Sequence, residues 1–294
     1  MDSKAEIREF LSSRRAKITP GQAEITSYGE RRVPGLRRNE VAQLAGISGE
    51  YYTRIERGNL TGVSDGVLES LSKALQLDEA ERTHLFDLAR SASLDHPGRG
   101  RTGDRQVRPN VQRTIDAITV PSYVRDRRRD ILAANPLAEA LYSPLFEDPF
   151  RPANSARFTF LSARAQEFFA DWHSVARDAV AALRIEAGRN PYDRSLSELV
   201  GELSTRSEAF RQLWAEHDVR FHTTGTKRMR HPVVGELELT FEAMEIAADP
   251  GLTIVTYGAE PGSRSEEGLR LLATLVATEA AERTRSSDPI RPTS

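Results

Sequence analysis

The sequence predicts two domains, an all-α N-terminal domain and an α+β C-terminal domain with an antiparallel sheet. Apolar residues recur at helical spacing through residues 4–91, whereas alternating apolar and polar residues appear only further along the chain. A polar, glycine-rich stretch separates the two parts and is typical of a linker. We therefore predict an N-terminal domain at 1–91, a linker at 92–106, a C-terminal domain at 107–285 and a disordered tail at 286–294.

Composition narrows the class of protein. The 294 residues carry a formal net charge of only −2, so any affinity for nucleic acid has to come from a local patch of cations. The chain has no cysteine, which excludes disulfides and thiolate metal sites. No apolar run has the length of a membrane span, and the N-terminus lacks the apolar core of a signal peptide. We expect a cytoplasmic, nucleoid-associated protein without a membrane partner.

The N-terminal domain is built around three short amphipathic helices within 35–77. The first spans about 37–45 and ends at Gly46, as helices often do at glycine. Ser48 is suited to cap the second helix, at 49–57. Two short helices joined by a tight turn of this kind form a helix-turn-helix, whose second helix fits the DNA major groove. Such shapes also occur in proteins that do not bind DNA, so the motif alone leaves both roles open.

Two more helices complete a predicted five-helix bundle. An opening helix at 4–17 has inward apolar residues, and a last helix begins after Asp78 and ends near Ser91. The third of the short helices within 35–77 begins after Ser64. In the opening helix we expect Ile7, Phe10 and Leu11 to point inward and Arg8, Arg14, Arg15 and Lys17 to point outward.

Several of these residues carry a family resemblance. Ala42, Gly46, Ser48 and the run Arg-Ile-Glu-Arg-Gly at 54–58 resemble the DNA-binding domain of the lambda-repressor/Cro class, often called the XRE type. The resemblance implies base contacts from Gly49, Glu50 and Arg54. The expected phosphate contacts are Arg32, Arg37, Arg38, Ser48, Tyr51, Arg57 and Asn59. Arg38 stands where that class usually has glutamine. Arginine donates paired hydrogen bonds to guanine and glutamate accepts from cytosine, so the residue types suit double-stranded DNA.

The C-terminal domain mixes strands and helices. A helix at 109–118 precedes a hairpin whose strands contain Tyr123 and Ile131, and Asn135 caps the helix after it. One long helix is predicted at 163–187. The later predicted elements are helices at 195–205 and 207–217, a strand within 231–246, a strand within 251–258 and a closing helix that contains Leu269 and Leu272.

A second resemblance covers nearly the whole chain. The segments RRDILAAN at 128–135, LVGELSTRSEAFRQLWAEHDV at 199–219, HPVVGELEL at 231–239 and YGAEPGS at 257–263 resemble MmyB-like actinobacterial transcription regulators. That family joins an XRE-type head to a PAS-like ligand-binding domain, and a member is associated with a bound fatty acid. The resemblance implies a fatty acid or a similar hydrophobic effector, and no other cofactor is expected.

Aromatic residues of the C-terminal domain are the candidate effector contacts. Such a pocket should be mainly apolar with a few polar groups. The candidates are Tyr123, Phe158, Phe168, Trp172, Trp214 and His231, with Phe160 and Phe241 as further aromatics. Packing in the hydrophobic core is the alternative role for each of them.

Catalytic and metal motifs are not evident in the sequence. His217, Asp218, His222 and His231 lack the spacing of a zinc helix motif, so no metal is predicted. We therefore expect a homodimeric transcription regulator that is not an enzyme and binds a two-fold DNA operator under the control of a hydrophobic small molecule. The alternatives are a C-terminal domain that only dimerises or binds a protein, and a domain that catalyses a reaction on the effector.

Overall fold

The computed structural model describes residues 3–25, 33, 35–93, 106–219 and 223–287, and the chain divides into two compact units. The first unit combines 1–102 with 177–221, and the second combines 103–176 with 222–294. Contacts and sequence therefore divide the chain differently over 177–221, which the sequence assigns to the C-terminal domain. Most of the predicted linker, and the predicted tail beyond residue 287, lie outside the described residues.

The helices and strands of the described residues have the following bounds. The helices are α1 Ser3–Lys17, α2 Arg38–Leu44, α3 Gly49–Glu56, α4 Asp65–Ala74, α5 Glu79–Ser93, α6 Pro109–Asp116, α7 Pro136–Leu141, α8 Ser143–Phe146, α9 Ser155–Leu161, α10 Arg164–Phe168, α11 Trp172–Arg189, α12 Arg194–Arg206, α13 Glu208–Ala215 and α14 Arg264–Ser287. The strands are β1 Ser122–Arg125, β2 Ile131–Ala134, β3 Thr224–His231, β4 Gly235–Glu245 and β5 Thr253–Gly258. The boundary between the two units falls within α11.

Local signals fix the helices of the first unit where the sequence predicts them. The Ser48 hydroxyl accepts a hydrogen bond of 3.1 Å from the Tyr51 N–H, so Ser48 caps α3. Asp78 likewise accepts a 2.9 Å bond from the Glu81 N–H at the start of α5. Gly46 follows α2 with φ +67°, a left-handed conformation that glycine adopts without strain. The five-helix N-terminal bundle is confirmed.

The core of the first unit contains apolar residues from both of its chain segments. Ile7, Phe10 and Leu11 of α1 are fully buried as predicted, and Ile185 of α11 and Val219 belong to the same cluster. Residues far apart in sequence therefore share one core. This is why 177–221 folds with the N-terminal helices.

The prediction that Arg14 points outward is wrong. Its side chain is only 5% exposed, and it lies under residues contributed by 177–221. One guanidinium nitrogen lies 2.6 Å from a Glu81 carboxylate oxygen, and the other donates to the His217 carbonyl. These partners compensate for the loss of water around the buried charge.

A second buried cation, Arg184 of α11, lies at the centre of the first unit. It is fully buried and donates to the Glu6 carboxylate and the Trp214 carbonyl, while its Nη1 lies 2.8 Å from His217 Nδ1. Its guanidinium carbon lies 4.2 Å from the centroid of the Trp214 ring, in cation–π geometry. Burial lowers the pKa of Arg184, and the Glu6 charge opposes that shift. The charge is stable there because α1, α13 and the ring surround it with acceptors.

His84 of α5 is buried beside this network. Its ring meets Phe10 edge to face, with centroids 5.0 Å apart, and neither ring nitrogen has a hydrogen-bond partner among the described residues. Burial, followed by the charges of Arg184 and Arg14, lowers the pKa of His84 to about 3. Gly188 of α11 lies directly against the imidazole, where a Cβ would stand 2.5 Å from His84 Cε1.

The second unit is an α+β domain, as predicted. Its five-stranded antiparallel sheet has the order β2-β1-β5-β4-β3, so the first and last strands in sequence meet at the middle of the sheet. Tyr123 of β1 pairs with Val255 of β5, and Phe241 of β4 pairs with Tyr257. These side chains are buried and form one core with residues of α7 to α10 and α14.

Two predictions for this unit are wrong. The sequence reading misses β3, whose core-facing Met229 is flanked by Arg228 and Arg230, so its apolar period is weak. The single helix predicted at 163–187 is instead α10 followed by α11. Between them Phe169 bridges to Met229, and the Ala170 N–H donates to the Arg228 carbonyl at 3.0 Å. Those sheet-like bonds interrupt the helix.

We expect Gly188→Ala to lower the free energy of unfolding by about 1–3 kcal/mol, because the added methyl group would overlap the buried His84 ring. Gly201→Ala in α12 is the matched control. No described residue lies within 4 Å of its Cβ position, so this variant should gain up to about 1 kcal/mol from helix propensity. Chemical denaturation checks both, and equal changes in the two variants would contradict the close contact.

Stability should fall on acidification because His84 stays neutral in the folded state. In the unfolded chain it takes up a proton near pH 6.5, whereas the folded-state pKa is about 3, so the fold loses stability as pH falls through that window. His217, whose pKa burial lowers to about 4, adds to the effect. We expect His84→Leu to reduce the slope by up to about 1.4 kcal/mol per pH unit.

Urea denaturation between pH 7 and pH 4 measures that slope. Gln43→Ala, at an exposed position of α2 without an ionisable group, is the control and should leave the slope unchanged. A His84→Leu profile that runs parallel to that of the parent protein would contradict the assignment.

Candidate nucleic-acid interface and ligand-binding core

A concavity of about 700 Å³ opens beside helix α3. It is lined by Asn39, Gly49, Glu50, Thr53, Arg54, Arg57 and Asn59. Four residues of α3, at positions 49, 50, 53 and 54, line it because residues three and four apart share one face of a helix. Two arginines, two side-chain amides and the Thr53 hydroxyl supply hydrogen-bond donors to this face, with Glu50 as the acidic acceptor.

The three residues predicted to contact bases, Gly49, Glu50 and Arg54, all line this concavity. Of the predicted phosphate contacts, Arg57 and Asn59 line it as well. The others lie close to it in sequence: Arg37, Arg38 and Ser48 are exposed and Tyr51 is half-buried. Arg32 lies outside the described residues.

Sequence reasoning missed two of the lining residues, Asn39 and Thr53. Asn39 lies in the first turn of α2, next to the arginines that were chosen, and an amide there is a hydrogen-bond donor to phosphate or base. Thr53 follows Gly49 by one helical turn, and its hydroxyl donates to the Gly49 carbonyl at 2.8 Å. Helical spacing from Gly49 was the signal that could have found it.

The Arg54 side chain is held by its neighbour. Its guanidinium carbon lies 4.9 Å from the centroid of the Tyr51 ring, which limits the directions that an exposed arginine would otherwise sample. Stacking leaves the planar edge of the guanidinium free for paired hydrogen bonds. Tyr51 therefore orients the residue that faces the concavity.

A buried carboxylate, Glu56 at the end of α3, holds two cations. It is 2% exposed and accepts from Arg15 Nε at 2.6 Å, from Arg38 Nε, and from the Tyr52 hydroxyl at 3.3 Å. The bond to Glu56 raises the pKa of Arg38. Arg38 is 54% exposed, so its outer nitrogens still reach solvent while its inner one is fixed. The predicted outward position of Arg15 is wrong, since its side chain is 17% exposed and ends at Glu56.

Glycine at position 49 has a steric reason within the protein. A Cβ there would stand 2.7 Å from Asn39 Oδ1, which lies across the start of α3. Helices α2 and α3 thus approach closely at the point where both reach the concavity.

The predicted effector contacts lie in two places. Tyr123, Phe158 and Phe168 are buried together in the core of the second unit, at 2–3% exposure. Trp172 is half-buried beside them, and its Nε1 donates to the Thr159 carbonyl at 2.8 Å. Trp214, in contrast, belongs to the first unit, where it stacks on Phe210 and Arg184; the structure does not bring it together with the others.

The polar groups of the predicted set are engaged within the protein. His231 Nε2 lies 2.9 Å from the Ala140 carbonyl, and its Nδ1 lies 3.2 Å from the Val233 nitrogen, which donates to it.

Sequence reasoning missed two core tyrosines, Tyr142 and Tyr257. Tyr142 lies at the end of α7, and its aromatic ring among apolar neighbours was the available signal. A small concavity of about 30 Å³, large enough for a single water, lies beside Phe158.

One cluster in the first unit has metal-ligand chemistry. Ligand atoms of Glu6, Glu9 and His217 lie within 4.8 Å of one another. Arg184 Nη1, however, already bonds to the Glu6 carboxylate and lies 2.8 Å from His217 Nδ1. His217 Nε2 lies 3.1 Å from Glu9. The guanidinium occupies the position of a cation between these groups, so the cluster is a charge network of the core.

The fold defines a helix-turn-helix protein whose chain also forms an α+β unit. The sequence profile of a helix-turn-helix domain matches residues 10–85, and that of the MmyB-like transcription regulator ligand binding domain matches residues 107–272. The chain belongs to this MmyB-like family and is a DNA-binding transcription regulator with a ligand-binding domain. No curated protein sequence matches it. None of the described helices combines the length and apolar character that crossing a bilayer requires.

Proposed function

We propose that this regulator binds as a homodimer to a two-fold DNA operator and that a hydrophobic, fatty-acid-like molecule in the second unit controls its affinity. The concavity beside α3 carries the DNA half of the proposal. It gathers the three base-contact residues inferred from the sequence, together with Arg57, around one concavity. A short helix with this face fits the major groove, where such groups read base edges.

The residues around the concavity divide into those that contact bases and those that contact phosphates. Arg54, stacked on Tyr51, reads guanine, and Glu50 at the start of the helix accepts from cytosine. Arg38 and Arg57 contact phosphates, which positions α3 without adding sequence choice. Glu56 holds Arg38 in place for that role.

A homodimer follows from the geometry of helix-turn-helix recognition. One α3 covers only a few base pairs, and two copies related by a two-fold axis read half-sites one helical turn apart. Doubling the contacts raises affinity and discrimination together.

Effector control is supported by the composition of the two units. The second unit has a core of aromatic and aliphatic residues, the surroundings that a hydrophobic ligand requires. The family profile extends over 177–221, yet Arg184 and His217 from that segment contact Glu6 of α1 within the DNA-binding unit. The segment 177–221 thus belongs to the ligand-binding domain by its sequence profile and packs in the unit that contains α3. An effector acts only as far as it prefers one conformation of the chain over another.

Two other functions are conceivable for the C-terminal part, and each requires different structural features. A pure dimerisation or protein-interaction module needs no internal ligand, and an enzyme needs a convergent acid–base pair. Neither has a specific observation in its favour within the described residues.

We expect Arg54→Ala and Arg57→Ala to differ in what they lose on DNA. Arg54→Ala should cost about 1–3 kcal/mol at the preferred site and relax the choice of one base pair. Arg57→Ala should weaken all sequences about equally and reduce the slope of log affinity against log salt by about 1. Selection from random oligonucleotides, followed by binding at several salt concentrations, measures both.

Arg194→Ala, on α12 with a side chain 88% exposed, is the control and should change neither quantity. If Arg54→Ala and Arg57→Ala lost sequence discrimination to the same extent, the division into reader and phosphate contact would be wrong.

Native mass spectrometry of freshly purified protein tests the dimer and the effector together. We expect a dimer that carries a hydrophobic small molecule, which solvent extraction releases for identification and which changes operator affinity when added back. A dimer whose operator affinity responds to no hydrophobic compound, and which carries none, would favour the dimerisation module.

A further inference from the structure

The first residue of α3 has no side chain to offer to the concavity. Gly49 begins α3 and lines the concavity beside it. A glycine can present only its backbone N–H and carbonyl, and the Gly49 carbonyl already accepts from the Thr53 hydroxyl at 2.8 Å. Recognition of a base in front of this position therefore calls for a side chain from another element.

Asn39 of α2 brings an amide to this place. Its Oδ1 lies 2.7 Å from the position that a Cβ on Gly49 would take, so the amide fills the space of the missing side chain. Asn39 lines the same concavity and is exposed. The surface at the start of α3 is thus composite, with a backbone from α3 and a side chain from α2.

The Asn39 amide is available for an external contact. Its side chain takes part in no hydrogen bond with another described residue. The preceding residue, Arg38, by contrast donates from Nε to the buried Glu56 carboxylate. A side-chain amide has two N–H donors and a carbonyl oxygen that accepts. Asn39 can therefore donate and accept at the same time.

An amide with both capacities has one good complement in the major groove. Adenine presents its N7 acceptor beside its N6 amino donor, and an asparagine side chain pairs with both. Guanine presents two acceptors at that edge, and cytosine presents a donor alone, so neither engages both ends of the amide. Phosphate oxygens only accept and would use the N–H groups alone.

We propose that Asn39 is a specificity-determining residue that pairs with an adenine of the operator from the space beside Gly49. The proposal rests on the proposed binding of DNA by α3 and adds a base contact from the preceding helix. It also gives the glycine at position 49 a role, because a larger residue there would displace the amide. The competing role for Asn39 is a phosphate contact, which adds affinity without sequence choice.

Selection of the full-length protein on random double-stranded oligonucleotides tests the base contact. We expect the parent protein to prefer adenine at one position of the selected site. Asn39→Ala should lose about tenfold of the preference at that position and keep the preferences elsewhere. Asn39→Asp keeps the shape of the side chain but only accepts, so it should change the preferred base there from adenine to cytosine.

Gly49→Ala tests the contact between the two helices. The added methyl group would displace the Asn39 amide, which is the free end of a side chain, so the protein should stay folded. The same adenine preference should nevertheless fall about tenfold. A double variant with alanine at both positions should lose no more than either single variant, because each change removes the same contact.

Gln43→Ala is the matched control. Gln43 is an exposed amide on the same helix and does not line the concavity, so its removal should leave every base preference unchanged. Circular dichroism and thermal unfolding check that all the variants are folded, and the isosteric Asn39→Asp keeps the test decisive if Asn39→Ala is not.

The outcomes separate this inference from the proposed function. If Asn39→Ala weakened all sequences equally and kept the adenine preference, the inference would be overturned while DNA binding by α3 stood. Losses that add up in the double variant would contradict a contact shared by the two positions. A parent protein that selects no sequence would count against the proposed function and this inference together.

Discussion

The buried ion pair between Arg184 and Glu6 is the constraint on which the first unit depends. A guanidinium without water is stable only if acceptors surround it, and Glu6, the Trp214 carbonyl and the Trp214 ring all do so. Breaking such a pair by removing one partner typically costs about 3–5 kcal/mol. The pair joins α11 to α1, so it couples the family's ligand-binding segment to the helices that present α3.

Glu56 repeats this arrangement at the end of α3. A carboxylate with almost no exposure holds Arg15 inside and Arg38 at the surface, and Arg38 directly precedes Asn39, which lines the concavity beside α3. In both places an acidic group in the interior fixes a cation. Arg54 is held differently, by the face of Tyr51. The surface proposed to bind DNA therefore relies on contacts that lie behind it, which orient its cations in advance.

The sequence predicted well where signals are local. Serine caps, glycines after helices and a 3.6-residue apolar period located the five N-terminal helices and the face of α3, because each depends on neighbours within a few positions. The burial of Arg14 and Arg184 could not be predicted, since their partners lie up to about 200 residues away in sequence. Strand β3 was hidden for a related reason: its cations alternate with core-facing residues, and only the pairing with β4 makes it a strand.

The membership of 177–221 in the first unit has a consequence for how such regulators can diversify. Recombination that joined this N-terminal bundle to a different sensor at the linker would leave Glu6 and Arg14 without Arg184 and the His217 carbonyl, and would uncover His84. Exchange of modules would have to carry α11 to α13 along with the head. Recombination at the linker that the sequence indicates, 92–106, would therefore separate residues that fold together. We expect the DNA-binding and ligand-binding parts of this architecture to be inherited together.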